Sequence, residues 1–475
     1  MEYEVTIGLE VHCEVKTHTK MFSPSLNAYE ELANSNITEI DLAFPGILPV
    51  VNYEAVKKSV KMALALNCKV PHKMYFDRKN YYYPDLPKGY QITQMHDPVG
   101  VNGYINVFVG EKIKRIDIHD IHLEEDTASL DHYDNYSLID YNRAGIPLLE
   151  TVTEPCMHSA DEALAFLDAL RKIFLYCDVS EARTDRGQMR CDVNISLAPK
   201  GSTVLGTKVE MKNINSFANV RSAIEYEIKR QSEVLDEGGK IIQETRRYDD
   251  TDNKTYRMRE KVEGVDYKYF IEPNIPPYTL KDSFIEEVRK TIPMLQFERI
   301  NKYMKEYEIS KYDATVIVKD KAVAEYFEKC IELGINPKTS ANWITSIILA
   351  HLNKSEEEIT SLYLTPKMLK DLVKLVEDGK ISSKQAKEVF YKVVETNKEP
   401  LKIIDELGIK QTSDDSSIRT IVTTILDNNQ KLIEEYKGGR SNVFDFFVGQ
   451  VMKQTRGQAN PVMTKTILKE EIEKR

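Results

Sequence analysis

Apolar and polar residues alternate along the first segment of the chain, which predicts a half-buried β-strand. Across residues 5–15 every second residue is apolar, and Glu10 and His12 lie together on the opposite face, because successive strand side chains point to opposite sides. A later acidic segment carries Glu124 and Glu125. Carboxylates beside an imidazole suit Mg²⁺, which prefers a few such ligands together with substrate phosphates. For either segment alone, an ordinary solvated strand face is the alternative interpretation.

Two further segments alternate in the same way and predict a β-hairpin. They cover residues 188–196 and 208–213, and a connection that contains glycine and proline joins them. The polar face of the hairpin contains two carboxylates and two cations, Asp192, Glu210, Arg190 and Lys212. Carboxylates can hold a metal ion and cations can neutralise phosphate oxygens, so this face suits nucleotide chemistry. A set of cross-strand salt bridges is the alternative interpretation.

The periodicity changes once, near residue 293. Before it, period-2 segments are broken by Gly, Pro and Asn and are interspersed with helices, which is typical of an α+β domain. After it, apolar residues recur at helical spacing, and Thr365 and Ser382 provide helix start signals. The predicted helices include 161–176, 216–235, 322–333, 365–377 and 383–395. We predict three domains: a catalytic domain over 1–293, a helical domain over 294–406 and a small helical tail domain over 407–475.

Composition excludes several classes of protein. The chain has 65 Lys and Arg against 75 Asp and Glu, a net charge of −10, which argues against a uniformly basic nucleic-acid-binding surface. The tail domain alone is cationic, with 11 Lys and Arg against 9 Asp and Glu. The six cysteines are dispersed without a CxxC pair, so we expect reduced thiols in a cytoplasmic protein. No apolar run approaches the length of a membrane span, and no membrane partner is expected.

A loop that contains proline and glycine lies between the acidic segments. It covers residues 77–91 and combines Arg78, Lys79 and Lys88 with four tyrosines, which suits contact with phosphate or stacking on a base. Tyrosines packed against the core are the alternative. Neither a GxxxxGKS/T motif nor a GxGxxG motif occurs, which excludes a P-loop or a Rossmann crevice. We therefore expect ATP to bind on the sheet.

Eight motifs, in chain order, resemble those of the B subunit of the bacterial aspartyl/glutamyl-tRNA(Asn/Gln) amidotransferase. They cover residues 8–12, 79–91, 122–126, 140–150, 189–196, 209–216, 243–246 and 449–453 with 460–461. Because the motifs stay in register from end to end, the resemblance covers the whole chain. It implies an N-terminal antiparallel sheet, similar to the fold of glutamine synthetase and guanidino kinases, that binds ATP and Mg²⁺ on its face. Helical domains would complete this α+β architecture.

The resemblance also implies a ligase that forms a carbon–nitrogen bond with glutamine as the amide donor. In that family, the B subunit uses ATP to phosphorylate the side-chain carboxylate of Glu-tRNA(Gln) or Asp-tRNA(Asn), and ammonia then displaces the phosphate. The A subunit, a glutaminase, supplies the ammonia through an internal channel, and the small C subunit joins the other two. Which tRNA is used depends on the synthetases of the cell. We therefore expect a heterotrimer that acts in translation.

Motif positions and side-chain chemistry together select the candidate site residues. The candidate metal ligands are Glu10, His12, Glu124, Glu125, Asp192 and Glu210. The candidates for binding ATP are Lys79, Arg190, Asp192, Glu210 and Lys212. The candidate catalytic residues are Glu125, Lys88, Arg190 and Lys212. The resemblance implies that Lys88 and Glu125 lie near the mouth of the ammonia channel, where the pair would control the passage of ammonia and take up the proton of ammonium.

In the tail domain, cations are the candidate tRNA contacts. They are Arg440, Lys453 and Arg456, and cations suit the recognition of RNA phosphates and shape. The nearby phenylalanines are expected in the helical core instead.

Two stretches depart from the family pattern. Many members carry a four-cysteine zinc site, whereas residues 22–25 and 41–46 here contain no cysteine, so we expect no zinc. Residues 267–274 lack a proline and a carboxylate of the usual run, which concerns only local loop detail.

Two other functions stay open at this point. A stand-alone carboxylate–amine ligase that is independent of tRNA predicts that the tail domain is dispensable. A noncatalytic scaffold for tRNA delivery predicts that Glu125→Gln leaves activity intact.

Overall fold

The structure, a computed structural model of the 475-residue chain, describes residues 2–28, 31–214, 216–260, 267–408, 415–440, 442–455, 459 and 461–475. The chain forms two compact units, Met1–Glu298 and Arg299–Arg475. The boundary predicted near residue 293 lies just before the division between them. The boundary predicted at residue 407 falls inside the second unit, and a further division of that unit into two domains stays a prediction.

A large sheet is the main element of the first unit. The strands that the structure describes are β1 (Tyr3–Glu14), β2 (Lys73–Met74), β3 (Asp77–Asn80), β4 (Tyr90–Thr93), β5 (Gly100–Val109), β6 (Lys112–Glu125), β7 (Ser129–His132), β8 (Ser137–Asp140), β9 (Pro147–Thr153), β10 (Met189–Pro199), β11 (Val209–Ile214), β12 (Glu244–Asp249), β13 (Lys254–Glu260), β14 (Lys268–Ile271) and β15 (Tyr278–Thr279). The eight-stranded sheet has the order β13-β12-β11-β10-β1-β9-β6-β5, and β3, β4 and β14 form a smaller sheet. β1 therefore lies near the middle of the large sheet, between β10 and β9.

The large sheet is mostly antiparallel, and one of its strand pairs is parallel. Neighbouring strands run antiparallel except β11 and β12, which are parallel. The chain between these two strands contains α3 (Phe217–Asp236), because parallel neighbours need a long crossover that returns the chain to its starting edge. The predicted hairpin is confirmed: β10 and β11 pair antiparallel, with a register shift between Cys191 and Val193.

Helices pack against the apolar face of the large sheet. α1 (Tyr53–Ala65), α2 (Ala160–Tyr176) and α3 contact its strands, and α4 (Asp282–Arg289) packs against α1. The core of this unit includes Ile7, Leu9 and Val11, which are almost fully buried. The predicted apolar face of β1 is therefore confirmed, and the residues between these positions belong to the other, polar face of the sheet.

The second unit is helical, as predicted from the change of periodicity. Its helices are α6 (Lys311–Ile317), α7 (Lys321–Glu332), α8 (Pro337–Trp343), α9 (Leu349–Ser355), α10 (Pro366–Glu377), α11 (Ser383–Thr396), α12 (Pro400–Glu406), α13 (Asp415–Asp427), α14 (Gln430–Lys437), α15 (Asn442–Gln454) and α16 (Pro461–Glu473), while α5 (Gln296–Glu306) contains the division between the units. Both predicted start signals are confirmed. Thr365 accepts a hydrogen bond from the Met368 amide, and Ser382 forms a capping box with Gln385.

The last helices of the chain have a core of their own. α13, α15 and α16 pack on one another around Ile418, Phe447 and Leu468. None of the helices that the structure describes combines the length and the apolar character needed to span a bilayer.

Candidate active site

Three carboxylates from adjacent strands form one group of potential metal ligands. Oxygens of Glu10, Asp192 and Glu210, which we call the carboxylate cluster, lie within 4.8 Å of one another. Strand register explains the group, because Glu10 faces Asp192 across β1 and β10, and Glu210 faces Asn194 across β11 and β10. Lys212 Nζ contacts Asp192 and lies 3.1 Å from Glu210. Burial opposes the charge of Lys212, but Asp192 and Glu210 outweigh it and raise its pKa.

Asn194 gives the carboxylate cluster a further polar donor and acceptor. Its Nδ2 donates a hydrogen bond of 2.8 Å to Glu10 Oε1. Its Oδ1 is buried and has no hydrogen-bond partner among the residues that the structure describes. A buried acceptor left in this way costs about 1–3 kcal/mol, so the site suits an additional cation or donor. The three carboxylates are themselves a donor set suited to Mg²⁺.

A second group combines a histidine with two glutamates. His12, Glu124 and Glu150, which we call the histidine cluster, also have potential ligand atoms within 4.8 Å of one another. His12 Nε2 lies 3.1 Å from Glu150 Oε2 and 4.0 Å from Glu124 Oε1. Burial lowers the pKa of His12, but the charges of Glu150 and Glu124 outweigh it and raise that pKa to about 9. Burial also raises the pKa of Glu124.

Glu150 contacts two histidines through one oxygen. Besides His12, His122 Nε2 lies 3.2 Å from Glu150 Oε2. Burial raises the pKa of Glu150, but the charges of His12 and His122 outweigh it and hold that pKa well below its usual range. The carboxylate of Glu150 thus lies between two imidazole rings.

Glu150 was not among the candidate site residues selected from the sequence. The alternation of β9, in which Glu150 stands between the buried residues Leu149 and Thr151, could have indicated that Glu150 lies on the polar face of the sheet.

Glu125 lies outside both clusters. It follows Glu124 on β6, so its side chain points to the other face of the strand. Its carboxylate contacts Lys88 Nζ and accepts a hydrogen bond of 2.9 Å from the Ile92 amide. The Glu125 carboxylate therefore belongs to neither cluster, and its expected role as a metal ligand stays a prediction.

Arg190 forms an ion pair with Asp126 beside the two clusters. Its Nη2 donates to both carboxylate oxygens of Asp126 at 2.9 Å, and Arg143 Nε lies 3.5 Å from the same carboxylate. Burial raises the pKa of Asp126, but the charges of Arg190 and Arg143 outweigh it and lower that pKa. Arg190 is therefore positioned before any ligand arrives.

Three cavities adjoin the clusters. The reaction cavity, about 310 Å³, is lined by His12, Asp192, Arg190 and Lys212 among others. The outer cavity, about 740 Å³, shares Lys79, Glu124 and Glu150 with it. The apolar cavity, about 250 Å³, has walls that include Val152, Ile195 and Leu205, with Glu10 at its lining. Candidate residues for metal and for phosphate thus line neighbouring cavities on one face of the sheet.

A much smaller cavity lies at the Lys88–Glu125 pair. It measures about 10 Å³ and is lined by Lys88, Glu125, Asp126 and Asp41 among others. That volume accommodates about one water-sized molecule. Both side chains of the pair are nearly buried, with 11% of Lys88 and 3% of Glu125 exposed. Asp126 lines this cavity and the reaction cavity alike.

Asp41 joins the two stretches in which we found no cysteine. Its carboxylate accepts hydrogen bonds from Ser23 Oγ at 2.7 Å and Ser25 Oγ at 2.5 Å. The amide and the hydroxyl of Thr38 donate to it as well, at 2.8 and 3.1 Å. We call these four residues the Asp41 cluster. Gly145 packs beside it with φ +87°, and a Cβ there would lie 3.3 Å from Asp41 Oδ1.

The predicted loop 77–91 begins as strand β3 and ends as strand β4. Arg78 contacts the buried carboxylate of Glu272, which makes it a structural ion pair. Lys79 Nζ lies 5.0 Å from the ring of Tyr267 and lines both the reaction cavity and the outer cavity. Tyr82 is 99% exposed, so the packing alternative fails for this tyrosine.

The tail cations lie on the surface of the last helices. Arg440 and Lys453 are exposed, and Arg440 Nη1 lies 2.7 Å from Glu435. Arg456 lies outside the described residues. Phe447 is fully buried in the core of these helices and Phe444 packs against it, as expected, whereas Phe446 is 43% exposed.

The chain matches two protein-family models. The model described as "GatB/GatE catalytic domain" matches residues 5–286, and the model described as "GatB domain" matches residues 325–472. Curated relatives align over almost their whole length. One from Persephonella marina is 48% identical over 471 residues, which is 99% of each chain. Others from Macrococcus caseolyticus and Bacillus licheniformis are 47% and 46% identical over 475 and 476 residues, 100% of each chain. All three are named as the B subunit of aspartyl/glutamyl-tRNA(Asn/Gln) amidotransferase.

Proposed function

The chain belongs to the family of aspartyl/glutamyl-tRNA(Asn/Gln) amidotransferase B subunits, and we propose that it activates and amidates an amino acid already attached to tRNA. The substrate is Glu-tRNA(Gln), Asp-tRNA(Asn) or both. In the proposed reaction the side-chain carboxylate of that amino acid takes the terminal phosphoryl group of ATP. Ammonia then attacks the activated carbonyl, phosphate leaves, and the amide remains on the tRNA.

The observation that carries this proposal is the concentration of carboxylates and cations on one sheet face. Asp192 of the carboxylate cluster, Lys212 and Arg190 line the reaction cavity. A carboxylate is a poor electrophile because it is anionic and has no leaving group, so phosphorylation supplies one. Phosphoryl transfer requires mainly positioning of the reactants and neutralisation of charge. Both are tasks for which this set of side chains is suited.

Both clusters fit Mg²⁺ by the chemistry of their donors. Glu10, Asp192 and Glu210 would hold one ion, and the unpartnered Asn194 Oδ1 beside Glu10 supports the need for a cation or donor there. The histidine cluster offers the ligands for a second ion. When bound, Mg²⁺ neutralises the charge of phosphate oxygens.

The apolar cavity suits the base of ATP. Val152, Ile195 and Leu205 line it, and Glu10 belongs both to its lining and to the carboxylate cluster. A nucleotide bound there would have its base against apolar side chains and its phosphates toward the proposed metal ligands. Ligand pockets commonly combine mostly apolar walls with a few placed polar groups in this way.

Two cations of the chain would stabilise the transferring phosphoryl group. Arg190 is held by an ion pair with Asp126 and lines the reaction cavity, so its guanidinium would be available to phosphate oxygens there. Lys212 now contacts Asp192 and Glu210. A metal ion held by those carboxylates would compete with Lys212 for them, and Lys212 would then be available to bind phosphate oxygens. Lys79 lines the same cavity and adds a third positive charge.

Lys88 and Glu125 are assigned to the passage of ammonia. The small cavity beside them has room for one molecule of that size, and Asp126 connects its lining with that of the reaction cavity. Ammonium must lose a proton before it can act as a nucleophile. Glu125 would take that proton, and Lys88 would hold the carboxylate in place.

The proposed function requires partners. The A subunit, a glutaminase, would supply ammonia, and the small C subunit would complete a heterotrimer that acts in cytoplasmic translation. Arg440, Lys453 and Arg456 of the tail are the proposed tRNA contacts.

The test is amidation by the chain reconstituted with the A and C subunits. Glu-tRNA(Gln) and Asp-tRNA(Asn) are supplied with ATP and glutamine, and conversion to the amide is measured. We expect Glu210→Gln to lower the rate by about 10²-fold or more, while Glu4→Gln, on an exposed position of β1, stays within about twofold of wild type.

The same assay separates the alternatives. Unchanged activity of Glu125→Gln would favour the tRNA-delivery scaffold. Full activity on a free amino acid after removal of the tail from residue 407 would favour the stand-alone ligase. Full activity of Glu210→Gln on aminoacyl-tRNA would contradict the proposed site.

A further inference from the structure

His122 contacts the same oxygen of Glu150 as His12 does, and the reaction proposed above gives it no role. Its Nε2 lies 3.2 Å from Glu150 Oε2 and its Nδ1 lies 2.8 Å from Asp120 Oδ1. Both ring nitrogens therefore face carboxylate oxygens. The side chains of all three residues are 16–18% exposed, so the contacts are largely shielded from solvent.

The backbone of β6 sets this arrangement. Asp120, His122 and Glu124 alternate along the strand, so their side chains point to one face. The pairing of β6 with β9 places His122 directly opposite Glu150. The register of this pair shifts between Ile118 and Asp120, and such irregularities often redirect side chains next to functional sites.

We propose that His122 and Asp120 are positioning residues, which hold Glu150 in place for a divalent metal ion bound by the histidine cluster. This inference rests on the proposed function, in which His12, Glu124 and Glu150 supply the ligands. Neither His122 nor Asp120 needs to touch the ion or the substrate.

The chemistry of His12 is the reason that a second donor is needed. An imidazole binds a metal ion through the lone pair of its nitrogen, so a metal-bound Nε2 of His12 no longer donates a hydrogen bond to Glu150. His122 then keeps its own contact with Glu150, and Asp120 keeps the ring oriented by accepting from Nδ1. Partners of this kind typically change metal affinity by about 10- to 100-fold when they are removed.

The competing interpretation is an ion-pair network that only stabilises the sheet. Such a network would affect the melting temperature and leave the affinity for metal unchanged. The two interpretations therefore differ in a direct binding measurement, independent of amidation.

The experiment titrates the full-length chain with Mn²⁺ and follows free Mn²⁺ by electron paramagnetic resonance, without nucleotide or tRNA. Glu150→Gln identifies the binding that belongs to the histidine cluster. His122→Ala and Asp120→Asn are the test variants. His132→Gln is the control, because His132 is an exposed histidine of β7 whose Nδ1 lies 2.8 Å from Ser137 Oγ, and it lines none of the cavities described above. Thermal unfolding of each variant confirms that it is folded.

We expect the dissociation constant of the site lost in Glu150→Gln to rise about 10- to 100-fold in His122→Ala. Asp120→Asn, which keeps the size of the side chain, should show a smaller rise, and His132→Gln should bind as wild type. Wild-type affinity in both His122→Ala and Asp120→Asn, with weakened binding in Glu150→Gln, would overturn the positioning role and leave the metal site standing. Wild-type binding in Glu150→Gln would overturn the metal role of the histidine cluster and this inference with it.

Discussion

Replacement of Asp41 by alanine is expected to destabilise the first unit by about 3–5 kcal/mol. The carboxylate is 6% exposed and accepts hydrogen bonds from Ser23, Ser25 and Thr38. Each hydrogen bond to a charged acceptor contributes about 1.5–3 kcal/mol, and a buried donor left unpaired carries a similar cost. The total stays below the simple sum, because contacts within one cluster are not additive and the freed hydroxyls can rotate.

The assay is thermal and urea unfolding of the purified chain followed by circular dichroism. For a unit of this size about 1 kcal/mol shifts the melting temperature by about 2 °C, so Asp41→Ala should melt about 6–10 °C below wild type. Ser25→Ala removes a single donor and should cost only about 1–2 kcal/mol. Asp131→Ala, at an exposed position of β7, is the matched control and should melt within about 1 °C of wild type. A fall of less than about 2 °C in Asp41→Ala would refute the reasoning.

Three further predictions concern the metal content, the ammonia route and the tail. The zinc-selective chelator TPEN is expected to leave the melting temperature unchanged, since hydrogen bonds of the Asp41 cluster join the two segments that lack cysteine; stoichiometric zinc in elemental analysis would contradict this. Lys88→Met should lower glutamine-supported amide formation more than about tenfold while phosphate release from ATP persists, and an equal loss of both would remove Lys88 from the ammonia route. Arg440→Glu should raise the KM for tRNA several-fold at unchanged kcat, with a smaller effect at high salt because phosphate contacts are screened; an effect on kcat alone would exclude this contact.

Local alternation was sufficient to predict the polar face of the sheet. Glu10 and His12 were placed on one face of β1, and the hairpin added Asp192 and Glu210. The structure groups Glu10 with Asp192 and Glu210 in the carboxylate cluster, and it places His12 in the histidine cluster. The same rule separates Glu124 from its neighbour Glu125. We grouped these two because they share a motif, whereas the strand sends them to different surroundings.

The contacts that could not be predicted from the sequence are those set by the order of the strands in the sheet. β9 lies between β1 and β6, which brings Glu150 to His12 and His122, although these residues are far apart in sequence. The residue pattern of a single strand does not indicate which strands lie next to it in the sheet. For the same reason the partnership of Arg190 with Asp126 was not foreseen, nor was the parallel pairing of β11 with β12.

The central claim, that the side-chain carboxylate of the tRNA-bound amino acid is phosphorylated, is tested most directly with ¹⁸O. Glu-tRNA(Gln) labelled with ¹⁸O in the side-chain carboxylate is converted by the reconstituted enzyme with unlabelled ATP and glutamine, and the released phosphate is analysed by mass spectrometry. Attack by the carboxylate on the terminal phosphoryl group transfers one carboxylate oxygen, so we predict one ¹⁸O in each phosphate. Phosphate without ¹⁸O, at full conversion to the amide, would contradict the account.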